Sequence, residues 1–457
     1  MSNTTVTPQP AARLWDHPAF LMVWVGQFAS AIGAQLTAFS LSIWVFQGTG
    51  SVGHFGLVVA AQMLPAVLLA STAGVLADRF NRRRIMLFCK ATAMVVAAAT
   101  FGLLEADILT PLTVGFATAV ASSFATVHQI AYASSVPQLV PRQLYQKANG
   151  LVQMSIHVSA VVVPLLAVVL LEWLGLGRII LIEGACALVA VGTLLFARFG
   201  EPPARNARQD PEKKGLKAHF AQQTFGLRYV FSDPGLSMLM LYLAMASFIN
   251  GFVYVLFRPL MLTLSDVGTL GTIVTIAGAG GLAGTIYISF FSRLRDRVTA
   301  LLRFTLISGI FMTLCGATQS IPVIALSAFG FSFALPGAIV SVQVLLQERV
   351  PNEVRGRVFA ARALLGGGSM LLAVLLSPPL AELLFEPEML DGGVLAGWFG
   401  QWFGQGPGRG IALLFVLAGT SMVVVSLAAA RSAALRGVAR EQEAPATSVP
   451  AADVEAS

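Results

Sequence analysis

The side chains able to do chemistry stand out in this chain because they interrupt long apolar runs. Glu183 sits within "IILIEGACALV", five residues after Arg178. An ionisable group inside a membrane-length apolar run is a functional candidate by default. A carboxylate there could take up and release protons; a structural pair with Arg178 is the other reading. His128 and His157 also titrate near neutral pH. His128 lies about 120° from the centre of its segment's polar stripe, which favours a packed histidine. Ser247, Asn250, Tyr254 and Arg258 recur at three- and four-residue intervals. On a helix they fall within an arc of about 80°. Such a stripe, ending in a cation, could meet an anionic substrate or a coupling carboxylate. Alternatively, Arg258 snorkels to the membrane boundary beside a break at Pro259. Thr118, Ser122, Thr126 and Gln129 form a second stripe, and Ser332, Gln343 and Gln347 a third polar set. Gly26, Ser30, Gly33 and Thr37 have the spacing of close helix packing.

A different concentration of charge occurs in "GVLADRFNRRR", residues 74–84. Asp78 ends an apolar run, and an acid at a helix C-terminus is electrostatically unfavourable. Cations should offset it: Arg79, Arg82 and Arg83 locally, or Arg355, Arg357 and Arg362 from a distant stretch. The arginines can also act simply as a topology signal.

These groups must be positioned by membrane-spanning helices. The chain has 457 residues, 56% hydrophobic and 11% charged, with a mean hydropathy of +0.77. A soluble domain carries about 25% charged residues. By the ruler of about 20 apolar residues per crossing, there are twelve spans: 19–46, 53–77, 85–104, 110–137, 149–173, 178–198, 236–262, 268–291, 301–319, 321–346, 358–384 and 409–430. The segment Thr4 to Ala12 is too polar for a secretory signal core, so the first span should be retained. Both termini lack apolar periodicity and are expected to be disordered. After the polar segment from Gly200 to His219, "FAQQTFGLRYVFSD" could form a short interfacial helix. Cys89, Cys186 and Cys315 all lie in apolar segments, without redox or metal-ligand spacing. No Walker lysine, His-Glu-x-x-His or nucleophile elbow occurs, so neither an enzyme nor a metal or cofactor is expected.

An even number of spans puts both ends on one side. If that side is the cytoplasm, only Arg178, Arg258 and Arg409 of the 29 Lys and Arg lie at the far side. The net charge of +7 then reflects orientation rather than nucleic-acid binding. Trp44, Trp173, Trp398 and Trp402 lie at or near the far boundary, where interface anchors belong. The two halves repeat. "VPRQLYQKANG" begins at Val140 and "VPNEVRGRVFA" at Val350, 210 residues later. "SRLRDR", from Ser292, is a weak counterpart of the 74–84 loop, keeping the basic charge but not the leading Asp. Two such halves point to a transporter built from parallel repeats.

Twelve spans, a central polar linker and "GVLADRFNRRR" together resemble the major facilitator superfamily. The family loop reads Gly-x-Leu-Ala-Asp-Arg-x-Gly-Arg-Lys/Arg. Gly74, Leu76, Ala77, Asp78, Arg79, Arg82 and Arg83 match it. Asn81 replaces the second Gly, as a residue tolerant of a left-handed turn. "VPQLVPRQLYQKANG", "GLRYVFSDPGL" and "LLQERVPNEVRGRVFA" look like the drug-exporter branch with macrolide-efflux and enterobactin-export proteins. Pro164 of that branch's Gly-Pro motif is kept without its glycines, and the first span lacks the mid-membrane acid of many proton-coupled exporters. The resemblance, over roughly residues 15–435, implies a gate in which Asp78 closes the cytoplasmic contact between halves. Gly74, Arg79, Arg82 and Arg83 would surround it, and Arg355, Arg357 and Arg362 would face it. It also implies that spans 1, 4, 7 and 10 line the central path. Ser122, Gln129, Ser247, Asn250, Tyr254, Arg258 and Gln343 are then substrate-binding candidates. Glu183, His128 and His157 are the proton-coupling candidates.

The expectation is an all-α polytopic membrane protein of two pseudo-symmetric six-helix halves, residues 17–199 and 236–432. Segments 1–16, 200–235 and 433–457 are its N-terminus, cytoplasmic linker and tail. It should be a monomeric secondary active transporter of the bacterial inner membrane, with cytoplasmic termini. The expected task is proton-coupled export, by alternating access, of a hydrophobic or amphiphilic small molecule of the drug, macrolide or siderophore class. Its partners would be that substrate, protons and membrane lipids. The alternatives are a lipid-related or nutrient transporter of the same fold, or a non-transporting membrane sensor or assembly partner.

Overall fold

A computed structural model of the chain describes residues 14–197, 199, 226–290, 296–390, 392–432, 435 and 437. For residues 70–79, 142, 146, 153, 157, 289, 290, 352, 353 and 356 it describes the backbone alone. The expected disordered N-terminus and tail, most of the linker and the start of "SRLRDR" lie outside the described residues.

Eleven helices among the described residues are long and apolar enough to cross a membrane. They are α1 (Pro18–Thr49), α2 (Val52–Arg79), α3 (Arg82–Glu105), α4 (Pro111–Leu139), the continuous stretch Tyr145–Phe196, α7 (Pro234–Leu264), α8 (Val267–Phe290), α9 (Arg297–Ala317), α10 (Ile321–Arg349), α11 (Asn352–Pro379) and α12 (Arg409–Arg431). Tyr145–Phe196 supplies two crossings, α5 (145–174) and α6 (176–196). A straight helix of its 52 residues would run about 78 Å, over twice the bilayer core. Instead Gly175 leaves helical space at φ 75° and ψ 169°, a conformation natural only to glycine. Both arms return to one turn of α1. Trp24 Nε1 donates to the Leu151 carbonyl and to Ser155 Oγ, and a β-carbon at Gly26 would collide with Thr193. The expected twelve crossings are therefore present.

Helix ends follow from local chemistry. Pro111 opens α4 behind a capping box of Thr110 and Thr113, which satisfies otherwise orphaned N–H groups. Asn81 accepts from the Arg83 and Arg84 N–H groups at the start of α3, and Asp296 does the same for Val298 and Thr299 at α9. Asn81 has φ −64° and ψ 116°, so it is an N-cap and not the left-handed turn residue expected from sequence. α4 and α10 both stop at an extended valine, Val140 and Val350, each followed by proline, which disfavours helix at the residue before it. The 210-residue repeat is thus visible in matched helix ends.

Packing divides the chain into two units. The first combines α1–α6 with Tyr254–Gly278 and Leu371–Ile411. Phe20, Met86, Leu139, Leu144 and Leu194 are fully or almost fully buried in one of its clusters. α1 lies so close to α6 that a β-carbon at Gly33 would sit 3.1 Å from both Glu183 Cα and Cys186 Cβ. In this unit α11 continues through a π-helical turn, Leu380–Phe385, into Glu386–Met389. Glu386 accepts from the Gly408 and Ile411 N–H groups where α12 begins. A short helix, Val394–Phe403, stands between α11 and α12; the sequence reading had no helix there. Its Trp398 and Trp402 are largely exposed, as suits interface anchors.

The second unit comprises 221–253, 279–370 and 412–457. Leu239, Met240, Leu301, Leu346 and Val358 form its core. Tyr242 OH links α7 to Thr305 of α9 and to Ser426 of α12. β-carbons at Gly280 and Gly284 would strike the Phe329 and Phe333 carbonyls, so these two glycines permit close packing of α8 on α10. Within the expected interfacial segment, 226–232 is helical, but Val230 is fully buried in the core.

Arg349 at the end of α10 donates to Asp233 at 2.9 Å. Asp233 also accepts from the Gly235 and Leu236 N–H groups at the start of α7. Burial pushes its carboxyl up, but the bonds from Arg349 and Leu236, the Arg349 charge and the Gly235 bond outweigh this. The net shift is below the ordinary Asp value. A depressed folded value means stabilisation that is present above the unfolded value and lost as pH falls through the folded one. Asp233→Asn should therefore lower the thermal unfolding midpoint at neutral pH. The gap from wild type should close as pH drops through the depressed range; a gap independent of pH would exclude the charge as its source.

Candidate functional site

The first unit holds an open-mouthed cavity of about 490 Å³ lined by residues of α1–α6. Its volume arises from small side chains facing one another, among them Ala31, Ala34, Ala93, Ala121 and Ala125. On this apolar wall are set Gln27 and Ser30 of α1, Lys90 of α3, Ser122, His128, Gln129 and Tyr132 of α4, and Glu183 of α6. An apolar pocket with a few convergent polar groups is the usual form of a small-molecule site.

Lys90 Nζ donates to Ser30 Oγ at 2.8 Å, and Ser122 donates to the Gln62 carbonyl. The His128 and Tyr132 rings stack at 6.3 Å between centroids. Other groups are left incomplete: both amide atoms of Gln27, His128 Nε2 and the Tyr132 hydroxyl are buried without a hydrogen-bond partner. Most buried polar atoms in folded proteins are satisfied, so these groups mark the cavity as a candidate site.

Several sequence candidates meet here. Ser122, Gln129, His128 and Glu183 all line the cavity. His128, expected to pack away from the polar stripe, is part of the lining. Glu183 makes no ion pair with Arg178; the ion pair found among the described residues is Arg349–Asp233, and Arg178 is exposed. The side chains of His157, Gly74, Asp78 and Arg79 lie outside the described residues.

Other candidates are placed elsewhere. Tyr254 and Arg258 do not line this cavity. The Arg258 guanidinium lies 4.9 Å from the centre of the Phe39 ring, a cation–π contact. α7 runs through Pro259 to Leu264, so the expected break is absent. In the second unit, Gln343 accepts from Arg362 at 3.0 Å. Ser247 faces Gly366, and Asn250 Oδ1 is buried without a partner. Three more of the gate candidates bind carbonyls near helix ends. Arg82 donates to Ser134, Arg83 to Leu194 and Leu195, and Arg355 to Gln347 and Val350. The Arg357 backbone packs against Gly226.

Sequence reasoning missed Lys90, Gln27 and Tyr132. Lys90 was legible as an isolated cation in the apolar "LFCKATAMV", but it follows Arg82–Arg84 closely and reads as more of the same loop charge. Tyr132 is one turn beyond His128 on α4, and Gln27 one turn before Ser30 on α1.

The sequence profile of the Major Facilitator Superfamily matches residues 23–374. The chain is 24% identical over 382 residues to macrolide efflux protein A of Streptococcus pyogenes, covering 79% of the chain and 89% of that protein. It is 25% identical over 358 residues to the enterobactin exporter EntS of Citrobacter koseri, with coverage of 76% and 81%. Among solved structures, the nucleoside transporter NupG aligns with a TM-score of 0.66 at 13% identity, covering 90% or more of both chains.

The Ser30–Lys90 bond should be measurable. Ser30→Ala removes an acceptor from an ammonium inside the bundle, a loss of about 1.5–3 kcal/mol. The expected result is a lowered thermal unfolding midpoint in detergent. Unfolding identical to wild type would mean that the bond contributes nothing.

Proposed function

This chain belongs to the Major Facilitator Superfamily, and from that premise we propose that it is a proton-coupled exporter of hydrophobic or amphiphilic small molecules. It is a multi-pass membrane transporter; the direction, the coupling ion and the cargo class are our reading. The observation that carries it is the α1–α6 cavity, an alanine-rich wall bearing a few unsatisfied polar groups. Such a surface suits a greasy cargo with scattered polar atoms better than a sugar, which needs many polar contacts. Similarity to efflux and export proteins supports the outward direction.

In this reading the protein is a monomer with cytoplasmic termini in the bacterial inner membrane. It works by alternating access of its halves, 17–199 and 236–432. Glu183 is the proton carrier, because it is the carboxylate on the lining. His128 is its neighbouring titratable group. Asp78, with Gly74, Arg79, Arg82 and Arg83, is the gate loop of this reading.

Cells carrying the protein should accumulate less of at least one amphiphilic compound in a panel, and collapsing the proton gradient should abolish the difference. Glu183→Gln should remove the gradient dependence, and Asp78→Asn should cripple transport at normal protein level. Higher accumulation in cells carrying the protein would point to import. Full activity of Asp78→Asn would sink the gate.

A further inference from the structure

Two side chains on the cavity lining carry formal charge, Lys90 and Glu183. They come from different helices and do not form a contact ion pair. Each has its own support. Lys90 is tied to Ser30 Oγ at 2.8 Å. Glu183 is fixed by the close approach of α6 to α1 at Gly33, where no β-carbon fits without displacing its neighbours. The same lining holds the unpartnered atoms of Gln27, His128 and Tyr132, and Gln27 is only 5% exposed. Two opposite charges held apart on one lining describe a site that a ligand can bridge.

The charge balance limits which ligand. With Lys90 and Glu183 both ionised, the cavity lining is formally neutral. An added cation would leave one positive charge in excess, and an added anion one negative charge. Uncompensated charge away from water is costly. A neutral molecule with hydroxyl or carbonyl groups avoids that excess. It accepts from the Lys90 ammonium and donates to Glu183.

We propose that Lys90 determines the charge specificity of this cavity, making it a site for uncharged, oxygen-bearing amphiphiles and excluding lipophilic cations. This rests on the reading of the cavity as the cargo site. Without Lys90 the lining keeps a carboxylate and no counter-cation, and becomes a receptor for the cations it formerly repelled.

The test is equilibrium binding of tetraphenylphosphonium to the purified full chain in lipid nanodiscs. Lys90→Gln should bind it about tenfold more tightly than wild type, or better, since one repelling charge has gone. Lys90→Arg should behave as wild type. The double variant Lys90→Gln, Glu183→Gln should lose the gain. Lys90→Met provides a second neutral variant if Lys90→Gln does not fold. Equal phosphonium binding by wild type and the neutral variant, including none by either, overturns the proposal. So does a gain that survives in the double variant. The assay requires no transport, so the two readings fail separately. Altered binding without compound efflux sinks export alone, whereas gradient-driven efflux with unaltered phosphonium binding sinks the charge filter alone.

Discussion

The contact between α1 and α6 is the constraint on which the first unit depends. At Gly26 and Gly33 the helices meet with no space for a side chain. In a bilayer no hydrophobic force draws helices together, because lipid is as apolar as leucine. Close backbone approach and the dispersion it permits must supply the attraction. That approach has three consequences. It requires the chain to reverse between α5 and α6, which Gly175 allows. It places Glu183 beside α1. It also fixes the face of α1 on which Ser30 receives the Lys90 ammonium. An apolar cavity bearing a few polar groups is thus a by-product of small residues at one interface and alanines at the facing ones.

Repeated architecture shows where sequence divergence is tolerated. The third helix of each half begins with an Asx cap, Asn81 and Asp296. The chemistry is a short side-chain oxygen accepting two backbone N–H groups, and either residue supplies it. The fourth helix of each half ends at a Val-Pro pair. These terminal devices persist because an open helix end has nothing else to bond. Between them the halves differ: the first encloses the cavity with Lys90 and Glu183, whereas Arg349–Asp233 and the Tyr242–Thr305–Ser426 cluster belong to the second.

Much of the architecture was legible because the bilayer imposes one length and one composition on every crossing. Twelve apolar runs became twelve crossings with ends displaced by a few residues. The α4 stripe was legible for the same geometric reason, and Ser122 and Gln129 do share a cavity. What failed were inferences that needed tertiary neighbours. Arg258 could be read from its stripe on α7 as a cavity cation or as a snorkelling one, and neither reading included the Phe39 ring that it meets. Lys90 looked like loop charge because it closely follows three arginines. Periodicity gives the face of a helix but not what that face meets. The Val394–Phe403 helix was hidden because ten residues are too few to register as a span.

Two kinds of charge emerge from the structure, and they explain the uneven distribution in the sequence. Arg83 and Arg355 bind carbonyls in the last turns of α6 and α10. A cation there satisfies orphaned acceptors and opposes the negative end of the helix dipole. Such arginines serve the fold as well as the topology, and their number follows from the number of helix ends on that side. Lys90 and Glu183 lie on a cavity wall instead, with polar neighbours left incomplete. Close packing could have satisfied those neighbours or removed them, as it did along most of α1–α6. Their persistence without partners around two separated charges is a feature that helix stability alone does not require.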